Sequence, residues 1–209
     1  MSRPVRLDSA NESQFWRGVE SAQRFFMGQA EVHKALDKLV RTLDSLGIPY
    51  AIIGAMALNE FGYQRTTVDV DVLLTVEGLA AFKSDVLGRG YVEKFPGSRG
   101  VRDVEYGVDI DIVLTGSYPG DGKPKPVRFP DPATAAERGA RVALLPLPML
   151  ITLKLASGMT ALHRLKDLAD VQELIRILQL PRNLVEDLDP FVQAKYLELW
   201  QADQERPPE

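Results

Sequence analysis

Apolar residues first recur at helical spacing between positions 31 and 46, where Val32, Leu36, Leu39, Val40, Leu43 and Leu46 share one face. Gly47 stands where that helix should end, and Pro49 returns the chain to an extended path. Tyr50–Ile53 is an apolar run of strand length, Gly54 interrupts it, and Ala55–Phe61 has helical composition up to Gly62. The period then changes to two over Val68–Val76. Val68, Val70, Val72 and Leu74 take one face of the expected strand, Asp69 and Asp71 the other.

A helix is expected over Gly78–Leu87, and strands near Val101–Tyr106 and Val108–Thr115. The second of these alternates again, with Val108, Ile110, Ile112 and Leu114 opposite Asp109 and Asp111. Gly116–Pro132 holds five prolines and three glycines and predicts a long surface loop. After a short strand around Arg141–Leu145, helices follow over Leu147–Ser157, Ala161–Leu178 and Pro190–Trp200. At the other end, a short helix over Glu12–Met27 carries Phe15, Trp16, Val19, Phe25 and Phe26.

Strands and helices that alternate early, with helices alone late, predict an α/β (α+β) fold: a small mixed β-sheet with flanking helices and a helical C-terminal half. The organisation read from this is a partly helical N-terminal extension over 1–30, a core over 31–145 and a helical region over 146–209.

Composition narrows the class without deciding it. The 209 residues are 45% hydrophobic and 26% charged, ordinary globular proportions, and the net charge of −4 predicts no broad pull toward nucleic acid or anionic lipid. There is no cysteine, which excludes disulfides and thiolate-bound zinc. Met1–Gln14 is polar and does not read as a signal peptide. Val142–Ala156, the most apolar stretch, is cut by Pro146, Pro148 and Lys154 and is too short to span a bilayer. A cytoplasmic protein with no membrane partner is expected.

The chemistry lies in the acids. Two aspartates one residue apart on a strand point the same way, about 6–7 Å apart at Cα. Aspartate is a poor strand former, and two neighbouring carboxylates resist ionising unless a cation lies between them. A second strand bearing Asp109 and Asp111 strengthens that pattern. Hard oxygen ligands of this kind suit Mg²⁺ (or Mn²⁺), which also takes phosphate oxygens. Gly54, between strand and helix, offers backbone N–H groups to a phosphate. Phosphate cradle and acid pair together describe a triphosphate site bridged by a metal.

These segments resemble the DNA-polymerase-β-like nucleotidyltransferase superfamily, and within it the bacterial abortive-infection and toxin-type nucleotidyltransferases. The resemblance is carried by Ile53-Gly54-Ala55, Gly62, Arg65-Thr66-Thr67-Val68-Asp69-Val70-Asp71 and Val108-Asp109-Ile110-Asp111-Ile112. Leu150–Leu155 and Arg164–Val171 continue it into the helical half, so that it covers roughly residues 34–178. It implies a metal-dependent transfer of a nucleoside monophosphate from a nucleoside triphosphate to an acceptor hydroxyl or phosphate. The acceptor would be RNA or protein, and a cognate antitoxin would be a partner. Ala55 departs from the family's usual Ser or Gly, which removes a phosphate-binding hydroxyl and leaves the backbone donors.

The remaining candidates follow from that frame. Asp69 and Asp71 are the expected metal ligands. Alternation cannot choose the third between Asp109 and Asp111. Asp111 is preferred because Ile110 and Ile112 flank it, because Asp109 lies nearer the Gly107 turn and solvent, and because the family's acid precedes an apolar strand end and a Gly-Pro loop. Arg65 would steer a phosphate or pair with the acids, and Thr67 would support the turn. Lys154 would either pack its stem and reach water or reach the nucleotide. Arg164 and Asp167 would form a helical ion pair, as would Lys166 and Asp170, or Asp167 would anchor Lys154 or Arg164.

His33 and His163 show no zinc spacing and read as structural. Lys123, Lys125 and Arg128 form a small basic patch in the proline-rich loop. Two other functions stay open: a catalytically weak module that binds or regulates, which Ala55 would favour, and a nucleotidyltransferase acting on a small-molecule antibiotic.

Overall fold

The computed structural model describes residues 30–205, so the helix expected over Glu12–Met27 lies outside the described residues. The first described helix, α1 (residues 30–45), buries Val32, Leu36, Leu39, Val40 and Leu43 as its spacing predicts, whereas Leu46 is left beyond the helix and exposed. Strand β1 (Ala51–Ile53) then runs directly into helix α2 (Gly54–Glu60). Strand β2 (Asp69–Leu74) buries Val70, Val72 and Leu74 completely on one face. The expected strand was longer at both ends. Val68 is 68% exposed ahead of it, and Val76 already belongs to helix α3 (Val76–Val86). The cause of the early end is Thr75, whose hydroxyl accepts from the Gly78 amide at 2.9 Å and caps α3.

Strands β3 (Tyr91–Glu93), β4 (Val101–Asp103) and β5 (Asp109–Leu114) follow. A short helix α4 (Pro132–Ala135) leads to strands β6 (Glu137–Arg138) and β7 (Ala143–Leu144). All seven strands form one mixed sheet in the order β3-β4-β5-β2-β1-β7-β6. β2 and β5 lie parallel at its centre, and β1 pairs antiparallel with β2 and parallel with β7.

The second half is helical, as expected. Helix α5 (Leu147–Thr160) is buried without interruption from Leu150 to Gly158, so no face of it is free for solvent. A 3₁₀ turn (Leu162–Arg164) joins it to α6 (Leu165–Leu178), and a second (Arg182–Asp187) joins α6 to α7 (Pro190–Gln204). Trp200 and Tyr196 of α7 fasten the last helix, donating to the carbonyls of Leu180 and Pro181 at 3.0 Å each. Among the described residues no helix is long and apolar enough to cross a membrane.

Candidate active site

The parallel pairing of β2 and β5 sets Asp69 beside Asp109 and Asp71 beside Asp111, so four carboxylates share one patch of the sheet. Their surroundings differ. Arg102 holds Asp109 at 2.7 Å, and the Lys94 ammonium lies 2.8 Å from Asp111 and 3.5 Å from Asp109. The hydrogen bond to Asp111 holds the Lys94 ammonium above its ordinary range. Ahead of β2 the Thr67 hydroxyl donates to the Asp69 carboxylate and reaches the Asp69 carbonyl at 3.4 Å, so it orients the acid as well as supporting the turn. Neither Asp69 nor Asp71 meets a cation at ion-pair distance among the described residues.

Asp71 therefore carries charge that nothing balances at contact. Burial, then the neighbouring Asp69 and Asp111, push its carboxyl up to about 6, and Lys154 and Arg164 pull only partly the other way. Asp111 is the β5 acid among the neighbours that raise it, and it is the direct cross-strand partner of Asp71. One premise behind preferring Asp111 fails, however. The Asp111 side chain is 46% exposed and that of Asp109 34%, because Arg102 covers Asp109.

Gly54 has a reason that the sequence did not disclose. It sits at φ +65°, and a Cβ there would lie 1.9 Å from the Asp71 carboxylate oxygen. Ile53 pairs with Asp71 across the sheet, so the turn brings its backbone directly against the acid. Only glycine permits both the left-handed backbone and that approach. No side chain caps the first turn of α2, and the Ala55 side chain points into the core, 5% exposed.

Gly54 and Asp71 form the floor of a cleft of ≈ 540 Å³. One wall is the segment from Ser117 to Gly122 with Phe129, part of the long surface loop expected over 116–132, which here is seated against the site. Gly116 donates to Phe129 at 2.8 Å and Phe129 to Ser117 at 2.9 Å, closing the loop on itself. Gly120 lies so close to α5 that a Cβ would sit 2.3 Å from the Thr160 hydroxyl and 2.6 Å from the Ser157 carbonyl. Of the three basic residues in this loop, Lys125 is turned onto Asp121 and the Pro119 carbonyl at 2.5 Å each, Arg128 lies over the Tyr118 ring, and Lys123 is exposed.

The opposite wall is made by α5, α6 and the turn between them. Lys154, an isolated cation in an apolar helix, contacts Asp167 at 3.1 Å and Asp170 at 2.8 Å, and its side chain is 8% exposed. It reaches neither water nor the acid floor. Ser157 and Arg164 both donate to the other Asp167 oxygen, at 2.6 and 2.9 Å. Burial alone would raise the Asp167 carboxyl, but Lys154, the Ser157 hydroxyl and Arg164 outweigh it and hold the pKa below the ordinary value. Arg65 bonds to Asp170 at 2.6 Å rather than to Asp69 or Asp71, its backbone pinned by the Asn59 amide. Arg65 thus ties the segment before β2 to α6. The expected Lys166–Asp170 pair is replaced by this triad of Arg65, Asp170 and Lys154.

Of the ten residues singled out by sequence, Gly54, Asp71, Lys154, Arg164 and Asp167 line the cleft, while Ala55, Arg65, Thr67, Asp69 and Asp111 stand behind or beside it. Arg99, Tyr118, Ser157 and His163 also line it and were not foreseen as site residues. Ser157 was legible, since it falls three residues after Lys154 on one helix face. His163 was read as structural but is exposed at the cleft. Arg99, in a glycine-flanked hairpin, carries no spacing signal. Among the described residues no three acidic or histidine side chains converge into a ready coordination shell. Thr67, Lys94 and Arg102 account for this by drawing Asp69, Asp111 and Asp109 onto themselves.

No family model matches the chain, and no curated protein does. Among solved structures it is similar to ANT(2″)-Ia in complex with adenylyl-2″-tobramycin, with 12% identity over 82% of this chain and 95% of that one and a TM-score of 0.41. It is also similar to a candidate nucleotidyltransferase from Helicobacter pylori, at 15% identity over 84% and 93% of the chains with a TM-score of 0.46. JHP933 from the same organism is 16% identical over 84% and 90%, with a TM-score of 0.47.

Proposed function

We propose that the chain is a metal-dependent nucleotidyltransferase that moves a nucleoside monophosphate from a nucleoside triphosphate to a hydroxyl or phosphate of RNA or protein. The observation that carries this reading is Asp71: a strand acid beside Asp69 and Asp111, with no cation in contact among the described residues, pressed on a glycine at the floor of a cleft. A carboxyl pushed up to about 6 by burial and its neighbours is where a divalent cation gains most, because the ion replaces the proton and relieves the repulsion. Asp69 and Asp71 would hold Mg²⁺ or Mn²⁺, with Asp111 completing the acid set, and the ion would supply charge neutralisation at the phosphates.

The chain's own groups do the rest. Thr67 orients Asp69, and Gly54 leaves the floor open for phosphate oxygens to approach. Arg99 and Arg164 line the cleft beside Asp71 and can meet phosphate oxygens. Asp167 fixes the position of Arg164 and is itself held by Lys154, which lines the cleft and acts on Asp71 through its charge. In the transfer the acceptor oxygen bonds to the α-phosphorus, the bond to the bridging oxygen breaks and pyrophosphate leaves. The acceptor is read as an RNA end or a protein hydroxyl, which the order of the motifs favours. With such an acceptor, the motif order supports a toxin with a cognate antitoxin.

The test is transfer of label from the α-phosphate of each of the four nucleoside triphosphates, in Mg²⁺, to total RNA and total protein. Labelled RNA or protein that disappears with Asp71→Asn is the expected result. No transfer to either, together with no triphosphate binding, would refute the reading.

A further inference from the structure

Among the described residues the four strand acids face two cations at contact, Lys94 and Arg102, and both belong to the β5 pair. Four carboxylates against two cations leave a formal charge of −2, located on Asp69 and Asp71, which one divalent ion balances. A second divalent ion beside Asp111 would lie close to the ammonium already there and be repelled.

The Lys94 contact is built into the fold. Gly100 faces it across the hairpin between β3 and β4, with the Lys94 amide donating to the Gly100 carbonyl at 3.3 Å. A Cβ on Gly100 would lie 2.9 Å from Lys94 Cδ and 3.2 Å from the Asp111 carboxylate oxygen, so the missing side chain makes the space that the pair occupies. The hairpin is itself anchored. Lys83 pairs with Glu93 at 2.7 Å and donates to the Ser98 carbonyl, and Glu93 accepts from the Gly97 amide at 2.8 Å. Lys94 is thus held by a fixed frame, its side chain 25% exposed, less than the 46% of the acid it covers.

We propose that Lys94 is the fixed second cation of the acid site: its ammonium stands at Asp111 in place of a second divalent ion, so that the protein binds one ion, at Asp69 and Asp71. This rests on the reading of the acids as a metal site. Lys94 acts through Asp111 as a positioning residue. It keeps the β5 carboxylates neutralised whether or not metal is bound, and directs the ion to the β2 pair.

The experiment is titration of the full chain with Mn²⁺ alone, counted by calorimetry and by the loss of free-ion electron paramagnetic resonance signal. Thermal melts establish that each variant is folded. The expected result is one ion per chain for the wild type and for Lys94→Arg, none for Asp71→Asn, and two for Lys94→Met. A folded Lys94→Met protein that still binds one ion overturns the part given to Lys94 and leaves the Asp69–Asp71 site standing. Two ions on the wild type also overturn it. No ion on the wild type removes the metal reading itself, and the proposal with it.

Discussion

The aspartates of strands β2 and β5 and those of helix α6 are the same residue in opposite settings. Asp167 and Asp170 are buried, and each oxygen in contact meets Lys154, Arg65, Arg164 or the Ser157 hydroxyl. Among the described residues Asp69 and Asp71 have no cation in contact, and Asp71 is pushed up to about 6 where Asp167 is held down. Burial acts in the same direction on Asp71 and Asp167, so compensation is what separates them. The helix acids are satisfied within the fold and hold two halves of the molecule together. The β2 acids are left wanting a cation that the described residues do not supply at contact. Lys154 joins the two regions, in contact with the helix acids and acting at a distance on Asp71.

The largest effect on this contrast should come from removing its shared cation. Lys154→Met leaves Asp167 and Asp170 with fewer partners in a buried setting, and a loss of about 3 kcal/mol is expected in urea unfolding. The same change should raise the Asp71 pKa further. A variant as stable as the wild type would mean that the buried network does not hold α5 and α6.

A smaller effect separates the two regions by pH. The folded pKa of Asp71 lies above its ordinary 3.8, so the stability this group contributes is full below that value and lost as pH rises through about 6. Without metal, Asp71→Asn should therefore raise the melting temperature more at pH 8 than at pH 5. The opposite holds for Asp167, whose depressed pKa contributes stability above its ordinary 3.8 that is lost as pH falls through the lower folded value. An equal gain for Asp71→Asn at both pH values would contradict the account.

The smallest effect tests the two β5 acids. Asp109→Asn and Asp111→Asn should each change stability by no more than about 0.5 kcal/mol, since both side chains are partly exposed. In the transfer assay Asp111→Asn should lose more, because its charge reaches Asp71. A large loss for Asp109→Asn with near-normal transfer for Asp111→Asn would reverse their parts.

Much of the frame was legible because it is periodic. The alternation of Val70, Val72 and Leu74 against Asp69 and Asp71, and its repeat on β5, located the centre of the sheet and its acid face. The helical spacing of α1 was equally plain. β3 and β6 were missed, being three and two residues long and too short to show a period. Contacts distant in sequence were hidden as well. Arg65 and Asp170 are 105 positions apart, and nothing local to either names the other. The pressure of Asp71 on Gly54 is a packing fact of the same kind. A glycine after a strand is legible as a turn, but not as the space for a carboxylate. The wall formed by Ser117–Gly122 was concealed by its composition, since prolines and glycines read as loop whether or not the loop is seated.

The central claim is that the uncompensated β2 acids bind a divalent ion and, through it, a nucleoside triphosphate. Calorimetric titration of triphosphate with and without Mg²⁺, on the wild type, Asp69→Asn and Asp71→Asn, tests it most directly. The account predicts Mg²⁺-dependent binding to the wild type and a loss of at least about a hundredfold in both folded variants. Triphosphate affinity unchanged in both would contradict it.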